Sequence, residues 1–295
     1  MDVTMPKRSK TYSGSMTQSA VWENFTLRGE DIIISTPPKC GTTWTQSITM
    51  MLIFGKPGMD IGIGDISLWL DCGFKDQDEI VTRLNGQTHR RCIKSHTPLD
   101  GITYSPDATY IAVYRHPMDV HFSMRKHVEN LKDDVDLNQT QFPDDIGEGF
   151  RMFVENGLTG SGTDDLTVAS IIEHYMSFKN WAHLPNIYLF HYADLTRDLA
   201  GQMQRLASIY DIEHPSDLMA ELVDAATFKR MKSNAHTAPK RTSSVFKNPA
   251  RFFSTATSNK WEQHLSAKEE ATYNARIAGL LTKADRRWLE WGNAG

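Results

Sequence analysis

Cysteine is scarce: Cys40, Cys72 and Cys92 are the only three in 295 residues. Three thiols make no even disulfide framework and their spacing fits no metal pattern, so a reducing, cytoplasmic setting is expected. Long apolar runs are missing too. No stretch approaches the ~18 uninterrupted apolar residues read as a membrane-spanning helix. The early basic residues Lys7, Arg8 and Lys10 precede no apolar segment, so no secretory signal is expected. Positive charge is not in excess: 32 Lys and Arg against 36 Asp and Glu leave a net charge of −4. That argues against a general nucleic-acid binder, and any anionic ligand must be held by local cations. No solenoid repeat is visible, and no cluster of carboxylates and histidines implies a metal. What remains, 40% hydrophobic and 23% charged residues, is the composition of a soluble globular protein. The length is near the upper limit for one core.

The most informative stretch is Ile32 to Trp44. Ile32-Ile33-Ile34 is short, apolar and β-branched, and reads as a buried strand. Pro37 and Pro38 stop it, because proline has no N–H to give a sheet ladder. Lys39, Cys40, Gly41, Thr42 and Thr43 follow, and Trp44 to Phe54 contains no Gly or Pro and reads as a helix. Strand, tight glycine loop and helix form the local architecture of an anion site, since free N–H groups and the helix dipole both favour negative charge there. Lys39 adds a full charge; Thr42 and Thr43 add hydroxyls. A standard P-loop it is not: Thr36 stands where the first glycine belongs, and Lys39 precedes Gly41 instead of following it. An ordinary strand–turn–helix with a surface lysine is the competing reading. The run Pro-Lys-x-Gly-Thr-Thr-Trp resembles the 5′-phosphosulfate loop of the cytosolic sulfotransferases, with Cys40 where that family usually has serine.

Three further segments carry the same resemblance. Arg91 to Pro98 reads as a strand feeding a loop, with Lys94 and His96 on one side because alternate residues of an extended chain face alike. A neutral imidazole is the usual general base near pH 7, and Lys-Ser-His-x-Pro resembles the family's catalytic segment. A solvated Lys–His pair on the surface is the alternative. Tyr110 to Tyr114 is a strand closed by Arg115-His116-Pro117, with a helix expected over Val120 to Glu129. Arg115 and Ser123 resemble the family's 3′-phosphate segment; His116 and Met118 depart from it. Asn186 to Phe190 is another strand, and Tyr192 follows it in a segment that resembles the family's Phe-Tyr-Glu-Asp-Leu, whose tyrosine borders the adenine. Phe228, in Ala226-Thr227-Phe228, stands where the family has an aromatic on the nucleotide base.

Elsewhere, residues 1 to about 20 are polar and rich in Ser and Thr, and are expected to form a loose arm ahead of one domain spanning residues 21–295. Residues 131–165 are acidic and glycine-containing, and read as a solvated loop that in the family borders the acceptor pocket. Leu166 to Trp181 reads as an amphipathic helix whose His174 is expected in the core. Thr196 to Tyr210, Leu218 to Met231 and Asn274 to Trp291 are expected to be single helices, and 232–260 a loop.

Strands alternating with helices imply an α/β fold with a central parallel sheet flanked by helices. In such sheets ligands sit at the carboxyl ends of the strands. Lys39, His96, Arg115 and Tyr192 each follow a strand, so they should converge. The resemblance implies a P-loop-like sulfotransferase fold and transfer of a sulfuryl group from 3′-phosphoadenosine 5′-phosphosulfate (PAPS) to a small phenol, alcohol or amine. It implies His96 as base, Lys39 and Lys94 as charge stabilisers, Thr42, Thr43 and the loop N–H groups on the 5′-phosphate, and Trp44 on adenine. No metal, nucleic acid or membrane span is implied. The family's Arg-Lys-Gly before a Trp is replaced by Ser254-Thr255-Ala256 ahead of Trp261, so Arg251, Lys247 or Arg241 must substitute or the 3′-phosphate is held more weakly. Where the vertebrate-type dimer motif would fall, the chain has Glu262 at its start and Ala271 at its end, so that dimer is not expected. A P-loop kinase or nucleotidase, and a nucleotide-binding protein without turnover, are the other function classes.

Overall fold

The computed structural model describes residues 5–58, 62–132, 142–237, 246–248 and 259–294. Four strands, β1 (Ile32–Ser35), β2 (Cys92–Ser95), β3 (Thr109–Tyr114) and β4 (Ile187–His191), form one sheet in the order β2-β1-β3-β4, with every pairing parallel. The helices in chain order are α1 (Thr42–Phe54), α2 (Ile63–Ile66), α3 (Gln77–Gly86), α4 (Pro117–Glu129), α5 (Ile146–Glu155), α6 (Val168–Lys179), α7 (Tyr192–Arg197), α8 (Leu199–Ile209), α9 (Ser216–Ala226), α10 (Phe228–Thr237), α11 (Ala267–Ala278) and α12 (Lys283–Trp291).

The sheet is buried on both faces, and strand alternation decides which core each residue joins. Ile33, Ile93, Tyr110, Ala112 and Tyr114 pack into one apolar cluster, and Ile32, Ile34, Cys92, Ile111 and Val113 into the other. Parallel strands covered by helices on both sides are the expected outcome of βα alternation. Register aligns their carboxyl ends: Ser35 lies opposite Ser95 and Ala112, and Tyr114 opposite His191. The residues that leave the strands are therefore delivered to one edge.

The expected single helices break where a local cap competes. The Asp198 carboxylate accepts from Gly201 N, which starts α8 separately from α7. Thr227 is extended between α9 and α10. Gly279 closes α11, and Thr282 caps α12. The acidic stretch contains a helix the charge pattern hid. Asp145 caps α5, whose Phe150, Phe153 and Val154 are buried. Residues 133–141 of that stretch lie outside the described residues, as do most of 238–258.

From residue 5 on, the N-terminal stretch expected to be a loose arm packs against the rest of the chain. Tyr12 and Met16 are buried, and Tyr12 Oη donates to Asp100 Oδ1 at 2.8 Å. Met16 N and Thr17 N donate to Asp164 Oδ2 at 2.8 and 2.7 Å. Its Ser and Thr content reads as solvent-facing, but the partners are carboxylates far along the chain, the half-buried Asp100 and the buried Asp164. His174 is the core histidine expected, fully buried between Ser35 Oγ and Tyr114 Oη at 2.9 Å each.

Candidate active site

The loop after β1 turns sharply. Lys39 has φ 67° and Gly41 has φ 101°, both left-handed. Positive φ is unusual for a lysine and marks a loop held in shape by its surroundings. Gly41 is required on two counts: the backbone angle, and a Cβ there would stand 3.0 Å from the Tyr192 ring. The loop ends in α1, which Gly41 starts without a side-chain cap and with no acidic residue in its first turn. The first N–H groups of a helix have no intrahelical partner, so this terminus is equipped for an anion. The helix begins two residues before the expected Trp44, which brings Thr42 and Thr43 into that first turn. Cys40 is fully buried and its thiol is pushed up to about 12 by burial.

Thr36, the residue that leaves β1, joins two parts of the site. Its hydroxyl lies 2.5 Å from Thr42 Oγ1, and its carbonyl lies 2.6 Å from His96 Nδ1. A carbonyl only accepts, so Nδ1 carries the proton and Nε2 carries the lone pair. Burial, then the charge of Lys94, holds the imidazole well below the usual histidine range. His96 is therefore neutral near pH 7, with its second nitrogen basic and its orientation fixed.

Two lysines flank it. Lys39 Nζ sits 3.1 Å from His127 Nδ1, the ammonium donating. His127, on α4, is itself driven down to about 2 by burial and then by Lys39 and Lys94. Lys94 Nζ lies 3.8 Å above the centre of the Trp69 ring, and Trp69 meets His96 edge to face at 4.8 Å. Burial lowers the Lys94 ammonium to about 8.

A second group gathers around Tyr192. Its ring lies 4.5 Å under the Arg115 guanidinium and 5.5 Å from Trp44. Arg115 also approaches Asp119 at 3.8 Å. Trp44 Nε1 donates to Ala226 O at 2.8 Å, which ties α1 to the end of α9, two residues before Phe228. Pro117 occupies the first turn of α4, so that helix begins earlier than expected, with His116 as its cap. Ser123 lies further along α4, half-buried. The structure thus brings together Lys39, Gly41, Thr42, Trp44, Lys94, His96, Arg115 and Tyr192, while Arg251 lies outside the described residues. Sequence reasoning missed Thr36, Trp69 and His127. Only His127 left a signal there, one helical turn after Ser123 and on the same face.

A crevice opens beside this site. Ser15, Met16, Met124, His127, Val128, Leu131 and Leu166 line it, and about 10 Å³ of it admits a water-sized body. Among the described residues no group of His, Cys, Asp and Glu is placed to hold a metal, and no helix is long and apolar enough to cross a membrane.

Known proteins resemble this chain in sequence and in fold. The family model for the sulfotransferase domain matches residues 29–284. A glycolipid sulfotransferase of Mycobacterium bovis is 33% identical over 310 residues, covering 96% of this chain and 95% of the relative. Human sulfotransferase 1E1 is 25% identical over 226 residues, covering 73% and 72%. Among solved structures, a mouse sulfotransferase complexed with PAP superposes with a TM-score of 0.72 at 18% identity, covering 94% of both chains.

Proposed function

The chain belongs to the sulfotransferase family and moves a sulfuryl group onto an acceptor; we propose that the donor is PAPS, that the acceptor is a small molecule with a hydroxyl on an apolar body, and that His96 is the general base. One observation carries this reading: Thr36 holds the His96 Nδ1–H through its carbonyl and the start of α1 through its hydroxyl. Base and anion site are thereby fixed to each other by a single residue.

The residues fit a nucleotide with two phosphates. The uncapped start of α1, with Thr42 and Thr43, suits the 5′-phosphate. The Trp44–Tyr192 pair offers aromatic surface for a base, with Phe228 close in sequence to the Ala226 contact. Arg115 suits the second phosphate, because its fork is planar and always charged. Arg251 remains a proposed supplement there. When bound, the donor supplies the sulfuryl group. The chain's part is to remove a proton and to meet negative charge. Nε2 of His96 accepts the acceptor hydroxyl proton, and the imidazole is neutral and ready to do so. The ammonium groups of Lys39 and Lys94 face charge that develops during transfer, an electrostatic role that is strongest in a site with little water. No metal is needed for that charge, because two ammonium groups are at hand.

The similarity to a glycolipid sulfotransferase supports an acceptor with an apolar body. Cys40, Cys72 and Cys92 are free and buried, which supports a reducing, cytoplasmic setting. The test is incubation with sulfur-labelled PAPS and a panel of phenols, alcohols, amines and glycolipids. Labelled acceptor is the expected product. Tight binding of adenosine 3′,5′-bisphosphate without product would mean a nucleotide-binding protein without turnover. Phosphoryl transfer from ATP with Mg²⁺ would mean a kinase.

A further inference from the structure

Beneath the candidate base lies a carboxylate that the transfer reading does not use. Asp71 is fully buried. Its Oδ2 accepts from Trp22 Nε1 at 2.7 Å, Ser95 Oγ at 2.5 Å and Thr97 Oγ1 at 2.6 Å. Its Oδ1 accepts from Trp69 Nε1 at 2.6 Å. An ionised carboxylate offers about four acceptor sites and no donor, and here each bond comes from an N–H or O–H. The indole N–H groups of Trp22 and Trp69 can only donate, so both carboxyl oxygens act as acceptors toward them, while the two hydroxyls can also accept. Burial is the larger cause and lifts the Asp71 carboxyl above the usual carboxylate range, with the four hydrogen bonds pulling against it.

The partners are not scattered. Ser95 and Thr97 are the two neighbours of His96 in the chain. Trp69 lies beneath Lys94 and against the His96 ring. The backbone of the segment is docked as well: Lys94 N donates to Leu68 O at 2.8 Å and Leu70 N to Lys94 O at 3.1 Å, extending the sheet beside β2. The buried Asp71 carboxyl thus holds both chain neighbours of His96 and the indole ring that packs against Lys94 and His96.

We propose that Asp71 is a positioning residue for sulfuryl transfer: its carboxylate orients Trp69 against Lys94 and His96 and anchors the two residues that flank His96. This rests on the reading of His96 and Lys94 given above. An amide at position 71 shows why a carboxylate is required. Asn offers one acceptor and one donor. With its oxygen toward Trp22, Ser95 and Thr97, its NH₂ faces the Trp69 N–H, donor against donor. Trp69 is then released while the other three bonds survive.

The test is a double-mutant cycle with Asp71→Asn and Trp69→Phe, read by turnover, by donor-product affinity and by Lys94 titration. Each single variant is expected to lower kcat about 10–100-fold, the scale of a misplaced catalytic group, with the Kd for adenosine 3′,5′-bisphosphate changed less than about twofold. The double variant should be no worse than the poorer single, because both break one contact. Additive losses, or a loss confined to Kd, would overturn the proposal. Trp69→Phe keeps an apolar ring, so it reports on the contact even if Asp71→Asn folds poorly. The third reading does not depend on turnover. Asp71, Cys72 and Lys75 act on Lys94, and His96 and His127 lie within reach of its charge. Removing the Asp71 charge and releasing the Trp69 face both disfavour the ammonium. In ¹³C-lysine NMR the Lys94 titration should therefore move to lower pH in Asp71→Asn. An unmoved or raised titration contradicts the proposal. Absence of labelled product in the wild type would instead sink the sulfotransferase mechanism and leave this reading of Asp71 to the NMR result.

Discussion

Gly41→Ala tests the anion loop with a single methyl group. The position has φ 101° and ψ 19°, where an L-residue other than glycine costs about 1–2 kcal/mol. The new Cβ would also stand 3.0 Å from Cδ2 and 3.5 Å from Cε2 of Tyr192. Tyr192 is buried and carries Arg115 on its ring face, so it has little room to retreat, and overpacking of this kind costs about 1–3 kcal/mol. The sum is about 2–5 kcal/mol. It must appear either as lost stability, if the loop keeps its shape, or as lost anion binding, if the loop flattens to escape. At ~2–4 °C per kcal/mol the first outcome lowers Tm by roughly 4–20 °C. Gly160→Ala separates the two causes: Gly160 has φ 92°, but a Cβ at that position would meet nothing within 4 Å, so it should show the backbone cost alone. The assay is urea unfolding of both variants, with and without adenosine 3′,5′-bisphosphate, beside calorimetric titration of the same ligand. Gly41→Ala with wild-type stability and wild-type affinity would refute the reasoning.

Three further outcomes are expected. Lys39→Met should lower kcat more than it weakens donor binding, because an interaction that grows with leaving-group charge is felt in kcat; a change in the donor KM alone would make Lys39 a ground-state ligand. Arg115→Ala should cost about 1.5–3 kcal/mol of the preference for adenosine 3′,5′-bisphosphate over adenosine 5′-phosphate, and a wild type without that preference would count against PAPS. Stability should fall in mild acid. His96, His116, His121, His127, His174 and His191 all have folded-state values below the ordinary one, with burial the first cause; His116, His121 and His174 fall to about 3 and His191 to about 4. The unfolded chain takes up these protons near pH 6.5 and the folded chain does not, so their contribution is complete above ~6.5 and is lost progressively as pH falls toward the folded-state values of about 2 to 4. Urea midpoints that stay constant between pH 7.5 and 5 would contradict this.

The strands and the loop after β1 were legible because their signals are local. An apolar β-branched run, two prolines and a glycine each act on their own backbone, and Ile32–Ser35 with the turn to α1 follow directly. The convergence of Lys39, His96, Arg115 and Tyr192 was legible for a different reason: a parallel sheet delivers every strand's carboxyl end to one edge. What stayed hidden depends on partners remote in sequence. Asp71 reads as one acidic residue in an ambiguous segment, since the donors that fill it come from residues 22, 69, 95 and 97. The N-terminal residues look solvated until Asp164, about 150 positions away, accepts their N–H groups. Helix breaks at Asp198 and Thr227 were missed because apolar periodicity runs through them while a side chain or an extended residue resets the backbone.

The central claim is that His96 takes the acceptor proton at Nε2 beside an anion-binding loop. It is tested most directly by His96→Asn, assayed with labelled PAPS and an alcohol acceptor of high pKa, alongside calorimetric binding of adenosine 3′,5′-bisphosphate. The account predicts turnover lower by ~10²–10⁴-fold with nucleotide affinity intact. Near-normal turnover of that alcohol by His96→Asn would contradict it.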